Sequence, residues 1–186
     1  MSQNGAGWPS ITKTKQPLPD ADDWIDRLTI VGIDLRDPTQ VIALADEVAA
    51  RHARAAALAG VIRGIASTDK PMVGHYTDSD EVLDFLQREK LAPLAELGTS
   101  CPDHFLRTKV KPLVLDLPAT ASVEEQTARL RELHEAYRAD YAAYYERYAE
   151  PDSPAMRGAD PLIVLVPGVG MFSYGADKQT ARVASP

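Results

Sequence analysis

The chain has 186 residues, of which 45% are hydrophobic and 25% charged, the length of one domain and the profile of a soluble globular protein. Its net charge of −7 argues against nonspecific affinity for nucleic acid or anionic membranes, so neither is an expected partner. No apolar run approaches the roughly 20 residues that span a bilayer, Met1–Pro19 lacks the apolar core of a secretory signal, and Cys101 as the only cysteine excludes an internal disulfide framework; together these features point to the cytoplasm.

Residues 1–22 are polar with scattered Gly and Pro and read as a disordered or loosely packed arm, which extends to residue 36 by this reading. Trp8 and Trp24 are its large aromatics, and Ile30–Leu35 is a short apolar run, strand or connector, broken by Gly32. Asp37-Pro38 then opens a helix, since Asp37 can accept from unpaired amides and Pro38 suits the first helical position. Val41, Ile42, Leu44, Ala45 and Val48 give that helix an apolar stripe, and the alanine-rich continuation to Ala59 has high helix propensity. Gly60 weakens it, and residues 61–65 extend or restart it. His52, in an arginine-flanked turn, reads as a surface histidine.

A second helix is expected from Asp78 or Ser79, because Asp78-Ser79-Asp80-Glu81 has capping-box spacing with Asp in the first place. Leu91–Leu97 adds another turn or two despite Pro93, and Gly98 is a natural stop. The stretch Gly98–Lys109 follows with no clear helix or strand period. Pro112–Leu117 is a compact strand candidate. Ser122-Val123-Glu124-Glu125 is a capping box that opens a helix to about Tyr148. Leu130, Leu133, Tyr137, Tyr141, Tyr144 and Tyr148 share one face of it, as expected of an amphipathic helix that packs tyrosine rings and hydrates their hydroxyls. A Pro/Gly/Asp connector leads to Leu162–Val166, the strongest strand signal. Pro167–Gly170 ends that strand in a tight turn, and Asp177–Val183 begins a further helix.

Chemistry-bearing residues concentrate in Gly98–Lys109. Cys101, Asp103 and His104 fall short of a structural zinc set, which takes four ligands, and Pro102 restricts their backbone. A Cys101–His104 nucleophilic pair has no orienting third group. Arg107 and Lys109, beside the hydroxyls of Thr99 and Ser100, offer charge and donors to a phosphate. Thr99, Ser100, His104, Arg107 and Lys109 are therefore the candidate substrate- or phosphate-binding residues; two solvated cations before a strand are the plainer alternative. Pro167–Gly175 follows a strand, but its third glycine, Gly175, comes two places late for a dinucleotide fingerprint, and it has no P-loop Gly-Lys-Ser/Thr.

The runs Val73–Leu83, Gly98–Lys109 and Val164–Gly175 resemble the middle of the bifunctional rhamnulose-1-phosphate aldolase/alcohol dehydrogenase proteins, over about Ala55–Val183. In that family a class II (zinc-dependent, adducin-like) aldolase region is fused to a short-chain dehydrogenase. The resemblance implies an α/β fold like the C-terminal part of a class II aldolase region. It would hold a small sheet including 112–117 and 162–166, covered by helices near 38–66, 79–89 and 122–149. Residues 37–186 would form a partial domain, truncated at its C-terminus. The activity implied is cleavage of a ketose 1-phosphate to dihydroxyacetone phosphate and lactaldehyde, with NAD-dependent oxidoreduction.

Zinc and NAD are expected in the full-length family but not in this chain. The family's zinc site needs a His-x-His pair and a later His before Gly; the chain has no His-x-His, and Val169 stands before Gly170 where that later histidine would be. No Tyr-x-x-x-Lys pair lies in a dehydrogenase context. The resemblance therefore implies a fragment or truncated relative, inactive alone, acting with aldolase and dehydrogenase segments or their separate chains. No catalytic residue and no metal ligand is assigned. A noncatalytic scaffold or interaction module is the alternative.

Overall fold

The structure is a computed structural model that describes residues 36–99 and 101–185, with Asp103 and His104 described by their backbone alone. The arm expected at 1–36, with Trp8, Trp24 and Ile30–Leu35, lies outside the described residues except for Arg36. The chain divides into two units, Met1–Asp46 and Glu47–Pro186. In the first, Asp37 accepts the Thr39 amide at 2.9 Å and Gln40 Nε2 at 3.0 Å. These bonds satisfy donors at the start of helix α1, Pro38–Ile65, where Pro38 costs nothing.

The buried positions of α1 are Ala55, Leu58, Ile62 and Ile65. This differs from the stripe expected at 41–48, where Val41 and Ile42 are 37% and 60% exposed. Gly60 does not interrupt the helix: a side chain there, or at Gly64, would meet nothing within 4 Å. Both glycines lie on an open side, while Leu58 and Ile62, each 0% exposed, anchor the other.

The second unit continues with β1 (Val73–Thr77), α2 (Asp80–Leu86), α3 (Leu91–Glu96), α4 (Pro102–Thr108), β2 (Leu113–Val114), α5 (Val123–Tyr148), β3 (Ile163–Val166), β4 (Gly170–Gly175) and α6 (Lys178–Val183). The strands form one mixed four-stranded sheet in the order β1-β4-β3-β2. β3 pairs parallel with β2 and antiparallel with β4, and β4 pairs antiparallel with β1. Side chains alternate across a strand, and β3 shows the consequence. Val164 and Val166 join the core under α1 and α5, with Leu58, Ile62, Leu130 and Tyr137. Ile163 and Leu165 join the core on the other face, with Val82, Leu86 and Leu91. The result is a mixed α/β layering, one sheet with a helix-covered core on each face.

Three local outcomes depart from the sequence expectations. Gly98–Lys109 is not irregular throughout, because Pro102 starts the short helix α4. Of 112–117, only Leu113–Val114 is strand, although the Leu115 amide still reaches Leu165 O at 2.9 Å. Gly170–Gly175 is a fully buried strand rather than the tail of a turn. The hairpin between β3 and β4 closes over Gly168 (φ +70°) and Gly170 (φ +152°). A side chain at Gly170 would meet Thr77 O at 2.7 Å, so the turn demands glycine on both conformational and steric grounds.

The capping box at Ser122 is present: Ser122 Oγ accepts the Glu125 amide at 3.1 Å and Glu125 Oε2 accepts the Ser122 amide at 2.8 Å. Ser122→Ala should lower stability by about 1 kcal/mol, measured as a lower urea midpoint at unchanged slope; an unchanged midpoint would show that the box contributes nothing.

Candidate functional site

The stretch Gly98–Lys109 is pinned at both ends by unusual backbone. Gly98 (φ +71°) ends the α3 turn, and a side chain there would collide with Val110 O. Lys109 has φ +66° and ψ −171°, and is the only non-glycine with positive φ among the described residues. That region is nearly confined to glycine, at a cost of roughly 1–3 kcal/mol, so surrounding contacts must hold Lys109 there. Its Nζ donates to Gly158 O at 2.5 Å and lies 3.9 Å from the centre of the Tyr141 ring. Burial pushes the amine down to about 8, against the pull of Asp160 and Asp69.

The other candidates from this stretch are distributed differently. Thr99 lines a cavity beside α2 and β4, and its Oγ1 is buried without a partner. Arg107 is exposed. Ser100 and the His104 side chain lie outside what is described. The amine of Lys109 thus engages α5 and the connector before β3, whereas Thr99 faces the opposite core.

Beneath Lys109 lies a polar cluster that sequence reasoning missed. Asp160, 5% exposed, accepts the Asp69 amide at 2.8 Å, pairs with His134 Nε2 at 3.1 Å and accepts from Arg138 Nη1. Arg138 Nη2 also reaches Asp69 Oδ1 at 2.9 Å, and Asp69 Oδ2 accepts the Ala159 amide at 2.7 Å. The Arg138 guanidinium holds the Asp69 carboxyl below the usual carboxylate range despite its partial burial. A signal existed in the sequence: His134 lies four residues after Leu130 and three before Tyr137, on the buried face of α5.

A second group surrounds the β3–β4 turn. The Tyr76 hydroxyl donates to Val169 O at 2.8 Å, and burial, reinforced by Asp78, pushes that phenol up to about 12. Asp78 Oδ2 pairs with Arg51 Nε and His52 Nε2, each at 3.0 Å. Burial acts to raise the Asp78 carboxyl, but the bonds from Arg51 and His52 outweigh it and hold it low. The carboxylate expected to cap α2 is therefore spent on α1, and Ser79 takes the N-cap place with no side-chain bond. His52 is on the surface, 54% exposed, yet it is partnered.

The residues do not fit a zinc ion at the turn. Val169 is 0% exposed and packs in the α1–α5 core, its hydrocarbon offers no lone pair, and the described residues contain no group of three or more metal-ligating side chains. Nor do they fit a dinucleotide. Such a cradle needs a strand, a glycine turn and a helix N-terminus, whereas Gly168–Gly170 leads straight into strand β4.

This fold, with its valine-bearing turn, is that of an aldolase-type domain. Residues 53–186 match the family described as "Aldolase class II, second domain", and the chain belongs to that family. Residues 2–28 match a domain of unknown function, DUF3470. The chain is also similar to the protein named "Uncharacterized oxidoreductase YuxG" of Bacillus subtilis (strain 168), with 33% identity over 125 residues, 67% of this chain. It spans only 18% of that relative's length. No solved structure matches.

The low titration point of Lys109 fixes a pH signature. Its ordinary value is 10.5 and its folded value about 8, so between these the unfolded chain binds more protons and stability rises with pH. Lys109→Met should flatten the rise in urea midpoint from about pH 8 to about pH 9.5; an identical rise in both proteins would refute the assignment.

Proposed function

We propose that this chain is a metal-free, aldolase-like second unit within a bifunctional sugar-phosphate aldolase/short-chain dehydrogenase system of the cytoplasm. That system would cleave rhamnulose 1-phosphate to dihydroxyacetone phosphate and lactaldehyde and carry out NAD-dependent oxidoreduction. In this reading zinc and NAD are held by other segments of the polypeptide or by separate chains. The observation that carries it is the β3–β4 turn. The position before Gly170 is a buried valine, and its carbonyl is tied to Tyr76 at 2.8 Å, so the element supports structure rather than ligation. The family match supports the aldolase part, and the name of the Bacillus subtilis relative supports an oxidoreductase context.

A second reading, a noncatalytic interaction module, is favoured by one observation: Leu97 and Leu106, next to α3 and in α4, are each 79% exposed. Such large apolar side chains left in water suit a partner surface. Both readings expect the purified chain, supplied with zinc and NAD, to give neither aldol cleavage nor aldehyde oxidation. Robust turnover in either assay would sink them. Co-elution of the silent chain with a separately expressed aldolase or dehydrogenase would favour the module.

Within the assembled enzyme, the exposed Arg107 is the loop cation left to meet a phosphorylated substrate, with Ser100 and His104 beside it in the loop, since Lys109 is held by Gly158 O and Thr99 faces the opposite core. Arg107→Ala should raise KM for the sugar phosphate about three- to tenfold with kcat retained, the loss of one charge-assisted hydrogen bond. A stability change with unaltered KM would overturn that role.

A further inference from the structure

The sheet is covered on both faces but not at the β2 edge. In the order β1-β4-β3-β2, β2 has a neighbouring strand on one side only. Leu113 stands opposite Val164 and Val114 opposite Leu165, and the Leu115 amide donates to Leu165 O at 2.9 Å. Along a strand, successive residues turn their amide and carbonyl to opposite sides, so alternate residues serve one neighbour. That register spends Leu113 and Leu115 on β3 and turns the amide and carbonyl of Val114 outward. Neither has a partner among the described residues. The Val114 side chain packs against the α2–α3 core, so its main chain is the part left to pair.

This edge is the floor of a groove of about 600 Å³ lined by every residue from Lys111 to Pro118. Leu91, Ala92 and Glu96 of α3 wall one side, and Leu133, Ala136 and Tyr137 of α5 the other. Lys111 joins the walls at one end, its Nζ 2.8 Å from Glu96 and 2.9 Å from Asp140. Pro112 and Pro118 blunt the two ends of the edge, as prolines do, but Val114 between them stays open. Outward main-chain groups on a strand edge are a template for another strand. The lining charges select among strands. Four carboxylates, Glu89, Glu96, Asp116 and Asp140, stand against two cations, Arg88 and Lys111, and Arg88 is already bonded to Asp84. A second copy of this chain would bring the same carboxylates. Its own edge would also lie at the bottom of the same recess, unable to reach the strand spacing of about 4.8 Å. A cationic segment meets neither obstacle, and its charge complements the groove.

We propose that the β2 groove docks an extended segment of a partner protein, with apolar or β-branched residues lying between basic ones. The segment adds a strand to the sheet: its main chain pairs with Val114, and its inner side chains lie against the α3 and α5 walls. Its basic residues meet the carboxylates of the rim. The site uses no residue of the Gly98–Lys109 loop and neither Leu97 nor Leu106, so it stands apart from both readings above.

The test titrates the 15N-labelled full chain with the peptide Lys-Val-Thr-Val-Thr-Val-Lys, acetylated and amidated at its ends. Saturable shifts should centre on the Val114 and Asp116 amides, and the Val114 amide should gain protection from solvent exchange. The same peptide with glutamate in place of both lysines should bind about tenfold more weakly. Val114→Pro removes the outward N–H, a change an edge strand tolerates. It should leave the Leu115 amide protected and weaken the lysine peptide about tenfold. Glu89→Lys, on the exposed rim, should weaken that peptide about two- to fivefold with Tm unchanged, and it is the deciding variant if proline disturbs the β2–β3 ladder. Any of four results would overturn the proposal. The shifts could grow without saturating or centre away from residues 111–118. The glutamate peptide could bind equally well. Affinity could survive Glu89→Lys, or Val114→Pro with Leu115 still protected. Sedimentation could show a dimer that Val114→Pro dissociates, which would put a second copy in the groove.

Discussion

The second unit is organised around one buried carboxylate. Asp160 draws donors from two separate parts of the chain, the amide of Asp69 after α1 and His134 with Arg138 on α5, while the Asp69 carboxylate holds the third, the connector, by accepting the Ala159 amide. A charge buried this deeply is tolerable only when it is paired and hydrogen-bonded. Stripping one partner from such a pair generally costs about 3–5 kcal/mol. Because β3 begins shortly after Asp160 and is the strand that joins β2 to β4, this network also sets where the sheet starts. Lys109 adds a fourth attachment, tying α4 to the same connector through Gly158.

The opposite end of β3 shows how packing and backbone bonds hold the β3–β4 turn. The turn keeps the glycines that its backbone needs, at Gly168 and Gly170. At Val169 it keeps a packed hydrocarbon, with its amide bonded to Val166 O at 3.0 Å and its carbonyl to Tyr76 at 2.8 Å. Those bonds satisfy the backbone on both sides of a residue that contributes only packing. Tyr76 in turn packs on Phe172, ring centres 5.1 Å apart, and lies edge-on to His52 at 6.1 Å. The His52–Asp78–Arg51 group thus braces α1 against the strand that holds the turn.

Legibility in the sequence followed the locality of each signal. The α5 capping box, the end of α3 at Gly98 and the apolar run at 163–166 depend on neighbours within a few residues, and the structure has them. β1 and β4 were harder to see: Gly74 and His75 interrupt one, Gly170 and Gly175 bound the other, and neither alternates cleanly. They are strands because cross-strand partners complete them, with Tyr76 opposite Phe172 and Gly74 opposite Tyr174. Gly74 is small for a reason visible only there, since a side chain would meet the Tyr174 ring at 2.8 Å. Among the candidate residues, charge and residue type drew notice to Lys109 but not to its destination, an aromatic ring and a carbonyl on distant elements.

What the sequence determined by itself was the α/β class, the main helices and the absence of a histidine before Gly170, because these reside in composition, short-range periodicity and residue identity. Tertiary structure alone decided the Asp160 cluster, the strained Lys109 backbone, and the placement of Thr99 beside an apolar cavity. Each joins residues far apart in the chain, Asp69 to Asp160, Lys109 to Gly158, and Thr99 to a space shared with Ser185. Their energetics arise from desolvation and pairing, which exist only once the sheet has brought those segments together.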